Sequence, residues 1–122
     1  MSLLHAEITE QVIGAAFEVH RVLGYGFLEK VYQRAMQVEL ILRGLKADIE
    51  SKIKVYYKEV IVGDYSADLL VNDLVVVELK VSPQYNSYDE AQLINELKAT
   101  RMKVGLLINF GREKVEFKRF IL

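Results

Sequence analysis

The sequence predicts an α/β chain, more narrowly an α+β mixed sheet of element order ααβββαββ with helices on both faces. Three observations predict it. Apolar residues in the first forty or so positions recur at helical spacing, and the stretch 52–81 is rich in β-branched residues at strand lengths. A strand–helix–strand segment of crossover length then follows.

Ile8, Val12, Ala15, Ala16, Val19, Val22 and Leu23 follow the i, i+4, i+7, i+8 pattern of an amphipathic helix over roughly residues 3–23. Gly24, Tyr25 and Gly26 break it. A second helix is expected over 27–43, with Val31, Ala35, Val38 and Leu42 as its inner stripe and Gly44 as its C-terminal stop. Strands are expected at 52–58, 60–71 and 74–81. The loop around Ser82 and Pro83 leads to a helix over 88–101, and two strands, 104–110 and 114–120, close the chain around Gly111 and Arg112. Val104, Gly105, Leu106, Leu107 and Ile108 read as a strand covered on both faces. Paired with 74–81 across the helix, that strand implies a right-handed βαβ crossover.

At 122 residues the chain is expected to form a single domain, 1–122, with no room for a separate recognition domain. No run approaches the ~18 apolar residues of a membrane span and no signal peptide opens the chain, so the expected location is cytoplasmic. The absence of cysteine excludes disulfides and thiolate zinc sites. With 16 basic against 17 acidic residues there is no global basic footprint for nucleic acid. Basic residues do thicken late, at Lys98, Arg101, Lys103, Arg112, Lys114, Lys118 and Arg119. They form either a local patch or scattered solvated positions.

The chemistry-bearing stretch is 67–80. Asp68, Glu78 and Lys80 interrupt two apolar runs that meet at Asn72 and Asp73, and an unpaired charge buried there costs several kcal/mol. A two-residue turn at Asn72 and Asp73 would send Asp68 and Glu78 to opposite faces. A three-residue loop, Asn72 to Leu74, or one extra bulged residue, sets Asp68 across from Glu78 and Ser66 across from Lys80, and this second register is the expected one. Two facing carboxylates repel unless a cation lies between them, and oxygen-only donors suit Mg²⁺ or Mn²⁺ better than zinc. The competing explanation is a buried ion pair of Lys80 with Asp68 or Glu78.

Asp68, then Glu78, Leu79 and Lys80 on the next strand, then a helix and a strand, resemble the PD-(D/E)XK nuclease superfamily. Gly26, Glu29 and Tyr32 fit the Gly-x-x-Glu-x-x-Tyr signature of the small bacterial GxxExxY proteins. The segments 13–20, 67–71, 91–95 and 104–110 are similar too, so the likeness spans nearly the whole chain. The resemblance implies a restriction-endonuclease-like core and a metal-dependent nuclease, hydrolysing phosphodiesters of DNA in preference to RNA with metal-activated water. It implies Asp68, Glu78, the Leu79 carbonyl and Glu29 as metal ligands, for Mg²⁺ or Mn²⁺. Lys80 would orient the attacking water and stabilise charge on the phosphate, and Gln92 would approach the substrate. Four residues on, where related nucleases commonly carry tyrosine, this chain has Glu96, which removes an aromatic contact and adds a negative charge. A catalytic unit this small would work as a homodimer. The alternative is a non-catalytic nuclease-fold module for protein interaction or nucleic-acid binding.

From the residues alone, Glu29 also suits the first turn of a helix, where a carboxylate offsets the helix dipole. Tyr32 is expected in the core with its hydroxyl bonded, and His20 at a helix end rather than on a metal.

Overall fold

The structure, a computed structural model, describes residues 4–84 and 86–122. Its elements are α1 (Ala6–Leu23), α2 (Glu29–Leu42), β1 (Ala47–Tyr57), β2 (Val60–Val71), β3 (Val75–Lys80), α3 (Ser87–Thr100), β4 (Val104–Asn109) and β5 (Glu116–Ile121). The order is the expected one. The expected start of the first helix at residue 3 lies outside the described residues.

One five-stranded sheet runs in the order β1-β2-β3-β4-β5. Only β3 and β4 are parallel, with α3 as their crossover. The other neighbours are antiparallel. Helices α1 and α2 cover one face, where Val12, Ala16, Tyr32, Met36 and Leu40 pack on Leu69, Val77, Leu79, Leu106 and Ile108. Helix α3 covers the other, setting Leu93 and Leu97 on Val76, Leu107, Ala67 and Ile53. β3 and β4 are therefore buried on both faces, which is why they read as unbroken apolar runs.

Two expectations need correction. β1 begins at Ala47, not 52, because residues 47–51 pair with 67–71 of β2 despite the polarity of Asp48, Glu50 and Ser51. The inner stripe of α2 is also rotated from the expected one. Tyr32, Gln33, Met36 and Leu40 are buried, whereas Val31, Val38 and Leu42 are exposed. Both stripes recur at i, i+4, and the helix turns inward the one with larger side chains, which removes more apolar area from water. Val22 of α1 is likewise exposed, in the groove it shares with Val38. Gly44 does end α2: it adopts φ 85° and donates to Ile41 O while Leu45 N–H reaches Leu40 O.

The hairpin of β1 and β2 changes face midway. Ile49, Leu69 and Val71 join the α1/α2 core, yet Ile53 and Ala67, at even spacing from them, join the α3 core. The reversal falls at Glu50 and Asp68, which are missing from the pairing between Ile49↔Leu69 and Ser51↔Ala67, and Glu50 has φ 54°. A non-glycine residue in that region is strained, and the strand bends there.

Two glycines set the approach of neighbouring elements. A Cβ on Gly105 would lie 2.9 Å from Leu93 Cδ1, so its absence lets α3 settle on β4. One on Gly111 would lie 2.4 Å from the Val81 carbonyl carbon, where the chain leaving β4 crosses the chain leaving β3. Gly111→Ala must displace backbone rather than a flexible side chain. It is expected to lower stability in urea denaturation by about 1–3 kcal/mol. Gly14→Ala, which meets only the Arg43 guanidinium, is expected to change it by under ~1 kcal/mol.

Candidate active site

The turn between β2 and β3 fixes the geometry of the site. Asn72 and Asp73 have φ 52° and 55°, and Leu74 N–H bonds to Val71 O, as in a tight turn with two left-handed central residues. The ladder nevertheless pairs Val71 with Val75, Leu70 with Val76 and Leu69 with Val77, so Leu74 is an extra residue. This is the three-residue register expected from the sequence. It brings Asp68 beside Glu78. The ladder then stops, so Ser66 and Lys80 are not ladder partners. Side-chain bonds replace it: Leu79 N–H donates to Asp68 Oδ2 at 2.7 Å, and Asp68 N–H to Glu78 Oε1 at 3.4 Å.

The remaining expected residues gather around this pair. The buried ion-pair explanation would have Lys80, two residues past Glu78, bridged to Asp68 or Glu78, and among the described residues it forms a salt bridge with neither. Its Nζ lies 3.5 Å from Asp89 Oδ1 on α3. Glu29 is the first residue of α2, within electrostatic reach of Asp68, Lys80 and Asp89. Gln92 is engaged inside its own helix, donating to Glu96 Oε2 at 3.4 Å. Tyr32 is fully buried, stacks on Phe110 with ring centroids 4.6 Å apart, and donates to Gly24 O at 2.6 Å. That bond ties the glycine turn to α2 and fixes where Glu29 begins. His20 bonds the Arg112 carbonyl near the end of α1.

Asp89, Glu96 and Gln33, which the sequence did not single out as contributors, belong here beside the expected Gln92. Asp89, Gln92 and Glu96 recur at i, i+3, i+7 on α3, a polar stripe that helical spacing could have revealed. Glu96 is fully buried, and its Oε1 has no hydrogen-bond partner. Gln33, also buried, donates from α2 to the Asp68 carbonyl at 3.0 Å and pins one helical layer to the strand that carries Asp68.

The electrostatics are lopsided. Burial pushes the Glu78 carboxyl up to about 11, with the Glu96 and Asp68 carboxyls adding to the shift. Glu96 is also raised, chiefly by burial. Burial raises Glu29 as well, with Asp68 next in effect. Burial alone would lower Lys80, but Asp89, Glu29, Glu78 and Asp68 outweigh it and hold the ammonium protonated. Among the described residues, no three His, Asp or Glu side chains already converge at ion-holding distance. Mg²⁺, however, needs only one or two carboxylates, the rest of its shell being water. An orphaned buried Glu96 oxygen beside Glu78, with hard oxygen donors only, fits such a cation and not a zinc site.

The sign of one pH dependence follows. Because the folded Glu78 carboxyl sits near 11 against an ordinary 4.5, the folded chain keeps a proton that the unfolded chain releases. Stability of the metal-free protein should fall as pH rises through that window. Glu96→Gln removes one of the opposing carboxylates. In chelator-treated urea denaturation it is expected to flatten the decline and to exceed wild type by about 1–2 kcal/mol near neutral pH.

Among curated proteins, no match was found. The crystal structure of SSO0001 superimposes with a TM-score of 0.59 at 14% identity, over 96% of this chain and 59% of that one, which shows a shared fold. This chain thus spans about three fifths of the length of SSO0001. No helix among the described residues is long and apolar enough to cross a membrane. Residues 6–120 match the family model of the PD-(D/E)XK nuclease superfamily, and the strand-borne Asp68, Glu78 and Lys80 fall within that span. The chain belongs to the PD-(D/E)XK nuclease superfamily.

Proposed function

We propose that this chain, as a single domain, is a divalent-metal-dependent nuclease that hydrolyses phosphodiester bonds, of DNA in preference to RNA. The observation that carries the reading is a deficit of positive charge. Asp68, Glu78 and Glu96 crowd together, while the Lys80 ammonium is drawn to Asp89. A Mg²⁺ or Mn²⁺ ion restores the balance. Members of the superfamily usually use divalent metals. Asp68, Glu78 and the Leu79 carbonyl would hold the ion, with Glu29 beside them directly or through water.

Such an ion supplies Lewis acidity toward the phosphoryl oxygen and makes water acidic enough to attack. The side chains do the rest. Lys80 stays cationic and half-buried, so its ammonium can stabilise charge developing on the phosphate, and Asp89 holds it in place. Gln33 keeps the Asp68 backbone from shifting under the load of charge. Gln92 reaches the substrate only when it leaves Glu96. The finer reading is a small bacterial, cytoplasmic protein of the GxxExxY kind that acts as a homodimer, which lets so small a unit span a duplex.

Plasmid or branched-DNA cleavage with Mg²⁺ or Mn²⁺ tests this. Asp68→Ala and Lys80→Ala are each expected to lower the rate by about 10²-fold or more. Calorimetric titration with Mn²⁺ should give binding that Glu78→Ala abolishes. Equal nicking by wild type and both variants would mean a contaminant. Together with no heat at about millimolar metal, it would leave a non-catalytic module with this fold.

A further inference from the structure

Of the late basic residues, Arg112 and Lys118 are spent on ion pairs with Glu116 and Glu90, and Arg119 bonds the Leu4 carbonyl. Lys98 and Arg101 are not. They face a cleft of about 570 Å³ between α3 and the β1–β2 hairpin, with Lys54, Tyr56, Tyr65 and Asn95 as its other polar and aromatic walls. None of Lys54, Lys98 and Arg101 takes part in an ion pair among the described residues. Asp64 lies across from Lys54 in the strand register without closing a salt bridge to it. A strip of three cations therefore stands out on a chain whose net charge is −1.

The cleft is built on the same two elements, β2 and α3, that carry Asp68 and Glu96. Asn95 immediately precedes Glu96 on α3, and Tyr65 lies three residues before Asp68 on β2, ~10 Å at strand rise. The reversal of faces at Asp68 is what turns Tyr65 and Ala67 to the α3 side. Tyr56, which lines the same cleft as the three cations, leaves 59% of its surface in solvent. Arg101 holds φ 61° at the end of α3, a position where glycine would be unstrained. Helix-end cations also offset a dipole, but that accounts for neither tyrosine nor for Lys54.

We propose that this cleft is the track for a single-stranded segment of the nucleic-acid substrate, its phosphates on Lys54, Lys98 and Arg101 and one base stacked on Tyr56. A duplex keeps its bases stacked inside, out of reach of the tyrosine, so the geometry favours an unpaired strand. The inference rests on the nuclease reading for its purpose, yet binding can be measured without cleavage.

The test is fluorescence anisotropy of a labelled oligothymidylate with the full chain in EDTA, over a range of salt. A Lys98→Ala/Arg101→Ala double variant is expected to lose about tenfold or more in affinity. Its log–log salt slope should shrink by about 1.4, two phosphates at ~0.7 each. Tyr56→Ala should weaken binding about tenfold with the slope unchanged. Lys114→Ala, outside the cleft, should match wild type. These residues are exposed, so the variants should keep the wild-type circular dichroism. No binding by wild type at low salt, unchanged affinity in the double variant, or duplex outcompeting single strand overturns the proposal. If binding behaves as expected while wild type never cleaves DNA, the cleft stands and the nuclease reading fails. If cleavage depends on Asp68 but neither cleavage nor binding depends on the cleft, the reverse holds.

Discussion

The register of β2 on β3 turns on Leu74. Asn72 and Asp73 complete a tight turn by themselves, and a hairpin closed there would alternate every β2 side chain against the wrong face of β3. Leu74, half in solvent and outside the ladder, moves the pairing by one residue. Asp68 then meets Glu78, while Leu69, Val71, Val75 and Val77 share the α1/α2 core. Packing and site are thus set by one constraint. Sliding the strand would bury charge in the core and expose valines, each a penalty of kcal/mol order.

Given that register, electrostatics shape everything nearby. Asp68 shares its carboxylate with the Leu79 amide, and Glu78 is left with Glu96 as a buried neighbour of like charge. A hydrophobic residue at 96 would relieve that repulsion. Glu96 instead sets a carboxyl with one oxygen that no amide or hydroxyl reaches beside Glu78, so a proton or a cation between the two carboxyls has to offset it. Asp89 draws Lys80 toward α3, so the lysine flanks the carboxylates rather than neutralising them.

The two helical layers reach the site by different means. On one side Tyr32, stacked on Phe110 and bonded to Gly24 O, anchors the start of α2, and the adjacent Gln33 holds the Asp68 carbonyl. On the other, Gly105 lets α3 close on β4, which brings Asp89, Gln92 and Glu96 over the ends of β3. Two glycines, at 105 and 111, have no Cβ because another chain segment occupies that space. The site sits at the end of the sheet where both layers can touch the same strands.

Element order, the central position of β3 and β4, the Gly44 stop and the cluster of Asp68, Glu78 and Lys80 were legible in the sequence, because each depends on local periodicity or on a charge inside an apolar run. Less was legible of α2, where two stripes one residue apart competed, and of β1, whose polar first half is a strand only because β2 pairs with it. Position 96 read as a lost tyrosine, whereas folding makes it a buried carboxylate against Glu78. The sequence by itself determined which groups carry charge and which segments are extended or helical. Tertiary structure alone decided which charges meet, because the pairing of Lys80 with Asp89 and of Glu78 with Glu96 depends on how closely α3 packs on the sheet, a distance that no local pattern encodes.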